Sequence, residues 1–94
     1  MASNGFEWDD KKAAANFAKH GISFDAARDV FNDPFAVDQL DDRADHGEQR
    51  FVIIGMVDGR LLYVAYTMRE DNIRIISARG AEPREQRQYY KDQK

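Results

Sequence analysis

The chain has no cysteine, two prolines and two histidines among its 94 residues. Without cysteine there is no disulfide framework and no thiolate to act as nucleophile or metal ligand. His20 and His46 stand alone, with no H-x-x-x-H spacing, so no metal site is expected. Glycine-rich phosphate loops and the G-x-S-x-G turn of serine hydrolases are missing, which removes the usual grounds for a nucleotide cofactor or a serine nucleophile. No apolar run approaches the length of a membrane span, and the opening MASNGFEWDD has no basic-then-apolar leader. The expectation is a cytoplasmic protein that needs neither cofactor nor metal.

Net positive charge is lacking too: the formal charge is −3, which by itself argues against a nucleic-acid partner. Its distribution argues otherwise. Residues 1–59 carry 6 Lys/Arg against 12 Asp/Glu, whereas residues 60–94 carry 8 against 5, and six of those eight are arginines. A locally basic surface on an acidic molecule is therefore expected. Hydrophobic residues at 43% and charged residues at 33% describe an ordinary globular protein, and the length fits a single domain over 1–94.

Local signals place the elements. Phe6-Glu7-Trp8 reads as a short strand. Asp9 reads as an N-cap opening a helix over 9–20, with Ala13, Phe17 and His20 on its apolar stripe and Gly21 as its left-handed ending. Trp8 is expected to pack over Ala13. Ser23 caps a second helix carrying Phe24, Ala27, Val30 and Phe31 inward, and Pro34 stops it. Phe35 to Leu40 reads as an irregular edge strand, and Asp41 to Gln49 as a polar loop with His46. Phe51–Val57 and Leu61–Met68 are β-branched and aromatic runs joined by Asp58-Gly59, a two-residue hairpin signal. A further strand spans Ile73–Arg79, and Pro83 opens a polar helix over 83–91. The expected fold is α+β: a two-helix hairpin, burying Phe17, Phe24 and Phe31, on an antiparallel meander of about four strands. The strands are apolar on both sides, so the terminal helix or a partner is expected to cover the second face.

The side chains suited to chemistry form a basic and phenolic set: Lys19, His20, Arg50, Tyr63, Tyr66, Arg69, Arg74 and Arg79. Arginine's planar fork donates two hydrogen bonds to a phosphate and stays charged as negative charge builds on phosphorus. Cleaving RNA without a metal also needs proton transfer at the 2′-hydroxyl and the 5′-oxygen, for which histidine is suited and tyrosine or lysine can assist. Each residue also has a structural reading: His20 as the charged end of a helix, the arginines as cross-strand partners of carboxylates, Tyr63 and Tyr66 as core residues with a hydroxyl at the rim. On a regular strand Arg74 shares its side with Ile76 and Ala78, and Arg79 shares the other side with Ile75 and Ser77. The two arginines are then expected on opposite faces.

Taken together, Phe6-Glu7-Trp8-Asp9, Lys11, Asn16, Lys19-His20-Gly21, Phe24, Glu48-Gln49-Arg50-Phe51, Tyr66-Thr67-x-Arg69 and Arg74-Ile75-Ile76-Ser77-Ala78-Arg79 resemble, in order, the pattern of the BrnT family. The resemblance runs from residue 6 to about residue 90. It implies a fold related to the RelE ribonucleases and a toxin of a type II toxin–antitoxin pair that cleaves RNA and arrests translation. It also implies a partner antitoxin, BrnA, with a ribbon-helix-helix DNA-binding domain that brings the pair to operator DNA as a hetero-oligomer. The positions it matches are Lys19, His20, Arg50, Tyr66, Arg69, Arg74 and Arg79; the expected catalytic set is His20, Arg50, Tyr66, Arg69 and Arg79, with Lys19, Arg74 and, from outside the matched pattern, Tyr63 on the RNA. His20 or Tyr66 would move protons while the arginines stabilise the phosphate. Gly80 departs from the pattern, where a basic residue is common. Two other readings stand beside this one: a catalytically weak interaction module serving as co-repressor, and a single-strand RNA binder stacking bases on Tyr63 and Tyr66.

Overall fold

Side-chain caps set the joints of the N-terminal half. The Asp9 carboxylate accepts from the backbone N–H groups of Lys11 and Lys12 at 2.8 and 3.1 Å and starts helix α1, Asp10–His20. Gly21, at φ +72°, ends it by donating to the Phe17 carbonyl at 2.8 Å, a left-handed turn that glycine adopts without strain. Ser23 Oγ accepts from the Ala26 N–H at 3.0 Å and starts α2, Phe24–Arg28, which passes into a 3-10 turn over Asp29–Asn32.

The computed structural model describes residues 5–41 and 47–93, so most of the loop carrying His46 lies outside them. Among these residues are five strands: β1 (Phe6–Glu7), β2 (Val37–Asp41), β3 (Arg50–Val57), β4 (Arg60–Arg69) and β5 (Asn72–Gly80), followed by helix α3, Pro83–Lys91. They form one sheet in the order β1-β5-β4-β3-β2, antiparallel throughout except that β1 lies parallel to β5. Asp58 and Gly59, at φ +51° and +80°, make the tight turn between β3 and β4.

The α+β class, the β3–β4–β5 meander, the edge strand and the C-terminal helix agree with the sequence reading. Two details differ. The sheet is mixed and five-stranded, because the two residues of β1 find a parallel partner in Ile73 and Arg74. The expected helix hairpin has a short second arm, in which one five-residue helix continues as a 3-10 turn.

The edge of β5 explains where α1 lies. Beyond Arg74, β1 no longer covers it, and the amide of Asn16 takes over. Its Nδ2 donates to the carbonyls of Ala78 at 2.8 Å and Ile22 at 3.0 Å, and its Oδ1 accepts from the Ala78 N–H at 3.1 Å. One buried side chain thus stands in for a neighbouring strand and satisfies an open sheet edge. Turning Asn16 inward rotates Phe17 about 100° around the helix, and Phe17 is 57% exposed rather than buried against the sheet.

The core has two layers. Ile22, Phe24, Ala27 and Val30 pack on Ile53, Val64, Tyr66, Ile75 and Ala78 of one sheet face, with Trp8 edge-on to Phe24 at 6.0 Å and Ala13 alongside. On the other face Tyr89 of α3 packs on Val52, Ile54, Leu61 and Tyr63.

A bulge in β5 fixes the register of the functional side chains. Ala65 pairs with Ser77, but the next residue, Tyr66, pairs with Ile75, so Ile76 is skipped. Ile75 and Ala78, three residues apart, therefore enter the same core. The alternation expected from a regular strand is overturned: Arg74, paired with Thr67, and Arg79, paired with Tyr63, lie on the same face.

Candidate active site

At the β1 end of that face, the start of β3, the end of β4, the start of β5 and the first turn of α1 enclose a cavity of about 80 Å³. Its walls carry Lys12, Arg50, Arg69 and Arg74 with Asp9, Glu48, Thr67, Ile75 and Ile76. Four cations thus face two carboxylates, and one of those carboxylates, Asp9, already caps α1. The two Lys N–H bonds, Lys12 first, hold the Asp9 carboxyl below the usual carboxylate range.

The three arginines differ in how they are held. Thr67 is 2% exposed, and its hydroxyl donates to the carbonyl of Gln49, pinning the entry to β3 and with it Arg50. Arg50 Nε is buried and, among the described residues, has no hydrogen-bond partner. Such a donor is costly unless something accepts from it. Arg74 is held on one side by Glu7, Nη1 to Oε2 at 2.8 Å, each side chain about a quarter exposed. The Asn72 amide and then Arg74 hold the Glu7 carboxyl down in turn. Arg69 is half exposed, and its Nε lies 3.9 Å from Glu48 Oε2, beyond hydrogen-bonding range.

The remaining residues singled out from the sequence lie elsewhere. Arg79 shares the face, but its Nη1 and Nη2 donate to the Glu85 carboxylate at 2.9 and 2.8 Å, and its guanidinium lies 4.1 Å over the Tyr63 ring. Four residues of β4 separate that pair from Thr67, about 13 Å of strand. Tyr63 and Glu85 line a larger cleft of about 320 Å³ between β2 and α3, where the cation cluster is not repeated. Tyr66 belongs to the opposite face, between Phe31 and Phe51, and its hydroxyl donates to both oxygens of Asp38 at 2.7 and 2.8 Å. Burial, and then the Asp38 carboxylate, push that hydroxyl well above the ordinary tyrosine value. Both tyrosines are buried, so neither offers a ring face to a base. Lys19 and His20 close α1, and His20 is eight residues or about 12 Å of helix from Lys12.

The structure therefore brings together Arg50, Arg69 and Arg74. It sets apart Arg79 with Tyr63, Tyr66 with Asp38, and Lys19 with His20. Reasoning from the sequence missed Lys12, Thr67 and Glu48 as cavity walls. The signal for two of them was present, since Thr67 and Glu48 stand inside the quoted motifs.

Three arginines lining one small cavity at a sheet end of an α+β domain are the groups whose chemistry suits an anion. The comparison with known families is more specific. The family described as "Ribonuclease toxin, BrnT, of type II toxin-antitoxin system" matches residues 8–85, and the chain belongs to it. Membership makes it a toxin of a ribonuclease family and implies a protein antitoxin as partner. No curated protein matches the chain.

Proposed function

We propose that the protein is an endoribonuclease whose scissile phosphate sits in the 80 Å³ cavity between Arg50, Arg69 and Arg74. The observation that carries this reading is that Arg50, Arg69 and Arg74 line one cavity, with Arg50 Nε buried and, among the described residues, without a hydrogen-bond partner. A phosphate in the cavity would meet three guanidinium groups, and charge would be stabilised where it grows in the transition state. Lys12 adds a fourth cation. Lys19 and His20, further along α1, contact neighbouring nucleotides. Arg79 and Tyr63 act at a distance by holding α3, and Tyr66 acts through the core.

The reaction proceeds without a metal. The arginines and Lys12 around the cavity supply the positive charge that a metal ion would otherwise bring to the phosphate. The fold is of the RelE kind, the consequence of cleavage is arrest of translation, and the setting is the cytoplasm. The partner is a BrnA-like antitoxin with a ribbon-helix-helix domain, through which alone the pair reaches operator DNA.

The test is incubation of purified protein with RNA, resolved on a denaturing gel, for the wild type and for Arg50→Ala and Arg50→Lys. Loss of cleavage by about 100-fold or more is expected for Arg50→Ala, with lysine restoring little because it lacks the planar fork. RNA left intact by the wild type would favour the interaction-module reading instead.

A further inference from the structure

We infer that Glu48 is the general base that takes the proton from the attacking 2′-hydroxyl of the RNA. This deepens the ribonuclease reading and rests on it. Attack on a phosphate in the cavity needs a proton acceptor within hydrogen-bond reach of the ribose. Neither His20 nor Tyr66, the proton-moving residues expected from the sequence, is on the cavity wall. Tyr66 is committed to Asp38 on the other side of the sheet. His20 stands about two helical turns beyond Lys12.

Two carboxylates do line the cavity. Asp9 is fixed as the cap of α1 by two backbone N–H groups. Among the described residues Glu48 has a 3.9 Å approach to Arg69 and no backbone N–H fixing it as Asp9 has, and its side chain is 38% exposed, so RNA entering the cavity can reach it. It sits two residues before Arg50, and the residue between them is anchored by Thr67. Base and phosphate clamp are therefore carried on one pinned segment, which fixes their separation.

The step balances as follows. The Glu48 carboxylate takes the 2′-hydroxyl proton as the 2′-oxygen bonds to phosphorus. The bond from phosphorus to the 5′-oxygen breaks, and that oxygen leaves as a hydroxyl with a proton from the Lys12 ammonium. The products are a 2′,3′-cyclic phosphate and a 5′-hydroxyl end, and solvent returns one proton to Lys12 and removes one from Glu48. The arginines remain charged throughout, holding the phosphate oxygens.

The experiment compares the wild type, Glu48→Gln and Glu48→Asp in cleavage of a short RNA from about pH 4, where the fold still holds, to about pH 8, together with binding of the same oligonucleotide carrying a 2′-deoxy sugar at the cleaved position. For Glu48→Gln, kcat is expected to fall by about 100-fold or more, with binding of the deoxy oligonucleotide equal or tighter. The acid limb of kcat/KM is expected to disappear in this variant and to persist in Glu48→Asp. Cleavage by Glu48→Gln within about threefold of wild type would overturn the assignment while leaving the ribonuclease reading intact. So would a slowed variant that keeps the acid limb, since Glu48 would then serve only as counter-charge to Arg69. Absence of cleavage by the wild type would remove both.

Discussion

Tyr66 shows how a residue in a motif can serve the fold rather than the chemistry. Its ring lies between Phe31 and Phe51, and its hydroxyl closes on Asp38 at the sheet edge. Deleting the hydroxyl removes a hydrogen bond to a carboxylate and leaves the ring packing untouched. The Tyr66→Phe variant is expected to lose about 1 kcal/mol of stability, a fall of about 4–8 °C in Tm for a domain of this size. Its cleavage rate at 25 °C is expected to stay within about twofold of wild type, measured alongside Arg50→Ala, whose activity loss is argued from the place of its guanidinium on the cavity wall. Loss of activity comparable to that of Arg50→Ala, in a Tyr66→Phe protein that remains folded, would return Tyr66 to the proton-transfer step. Thr67 lies between these two cases: it lines the cavity, and its bond to the Gln49 carbonyl anchors the residue between Glu48 and Arg50.

At the scale of elements, what was legible was what the chain decides locally. Asp9 and Ser23 as caps, Gly21 as a left-handed ending, the Asp58-Gly59 turn and Pro83 at the first turn of α3 each act within four residues, and each stands where its chemistry puts it. What escaped was decided by distant pairing. Nothing in Arg74-Ile75-Ile76-Ser77-Ala78-Arg79 announces the skipped Ile76, because the bulge exists only against β4, and with it went the expectation that Arg74 and Arg79 face apart. Likewise Asn16 reads as a polar residue on a helix until the β5 edge it closes is known. Asn16→Ala is expected to cost about 2–3 kcal/mol, since both polar groups of Ala78 lose their partner in the interior; urea unfolding would show a lower midpoint with an unchanged slope. Helix α3 is attached by two carboxylates. Burial raises the Glu85 carboxyl, but the Arg79 guanidinium and the Glu82 N–H outweigh it, and the net value lies below the usual range. Asp33 follows the same pattern, with burial opposed by the Met56 N–H, the Tyr89 hydroxyl and the Phe35 N–H. Tyr89, correspondingly, is pushed up to about 12 by burial and then by Asp33. Because both carboxyls are depressed on folding, their stabilisation is complete above the unfolded values of 4.5 and 3.8 and is lost as pH falls through the lower folded values. Stability is thus expected to be flat from about pH 6 to 5 and to drop below about 4. Glu85→Gln should flatten that drop in thermal melts while lowering the plateau at pH 6; an unchanged acid limb would show that α3 is not held this way.

At the scale of the whole molecule, a net charge of −3 runs against RNA as a substrate. The arrangement of charge resolves this, because four cations, Lys12, Arg50, Arg69 and Arg74, outnumber two carboxylates, Asp9 and Glu48, around one cavity. A protein gripping a long stretch of backbone releases many counterions, each phosphate contact on a single strand contributing about −0.7 to the slope of log Kobs against log salt. A cavity of about 80 Å³ has room for one phosphate, and Lys19 at the far end of α1 adds at most a second contact. The expected slope for a 2′-deoxy oligonucleotide that cannot be cleaved is therefore about −0.7 to −1.5. Arg50→Ala should lower the slope as well as the affinity, whereas Arg87→Ala, on the exposed side of α3, should change neither. Titrations between 50 and 300 mM salt would decide the matter. A slope steeper than about −3 would mean that the backbone runs along an extended basic track, and the single-phosphate cavity would no longer account for how this acidic protein holds RNA.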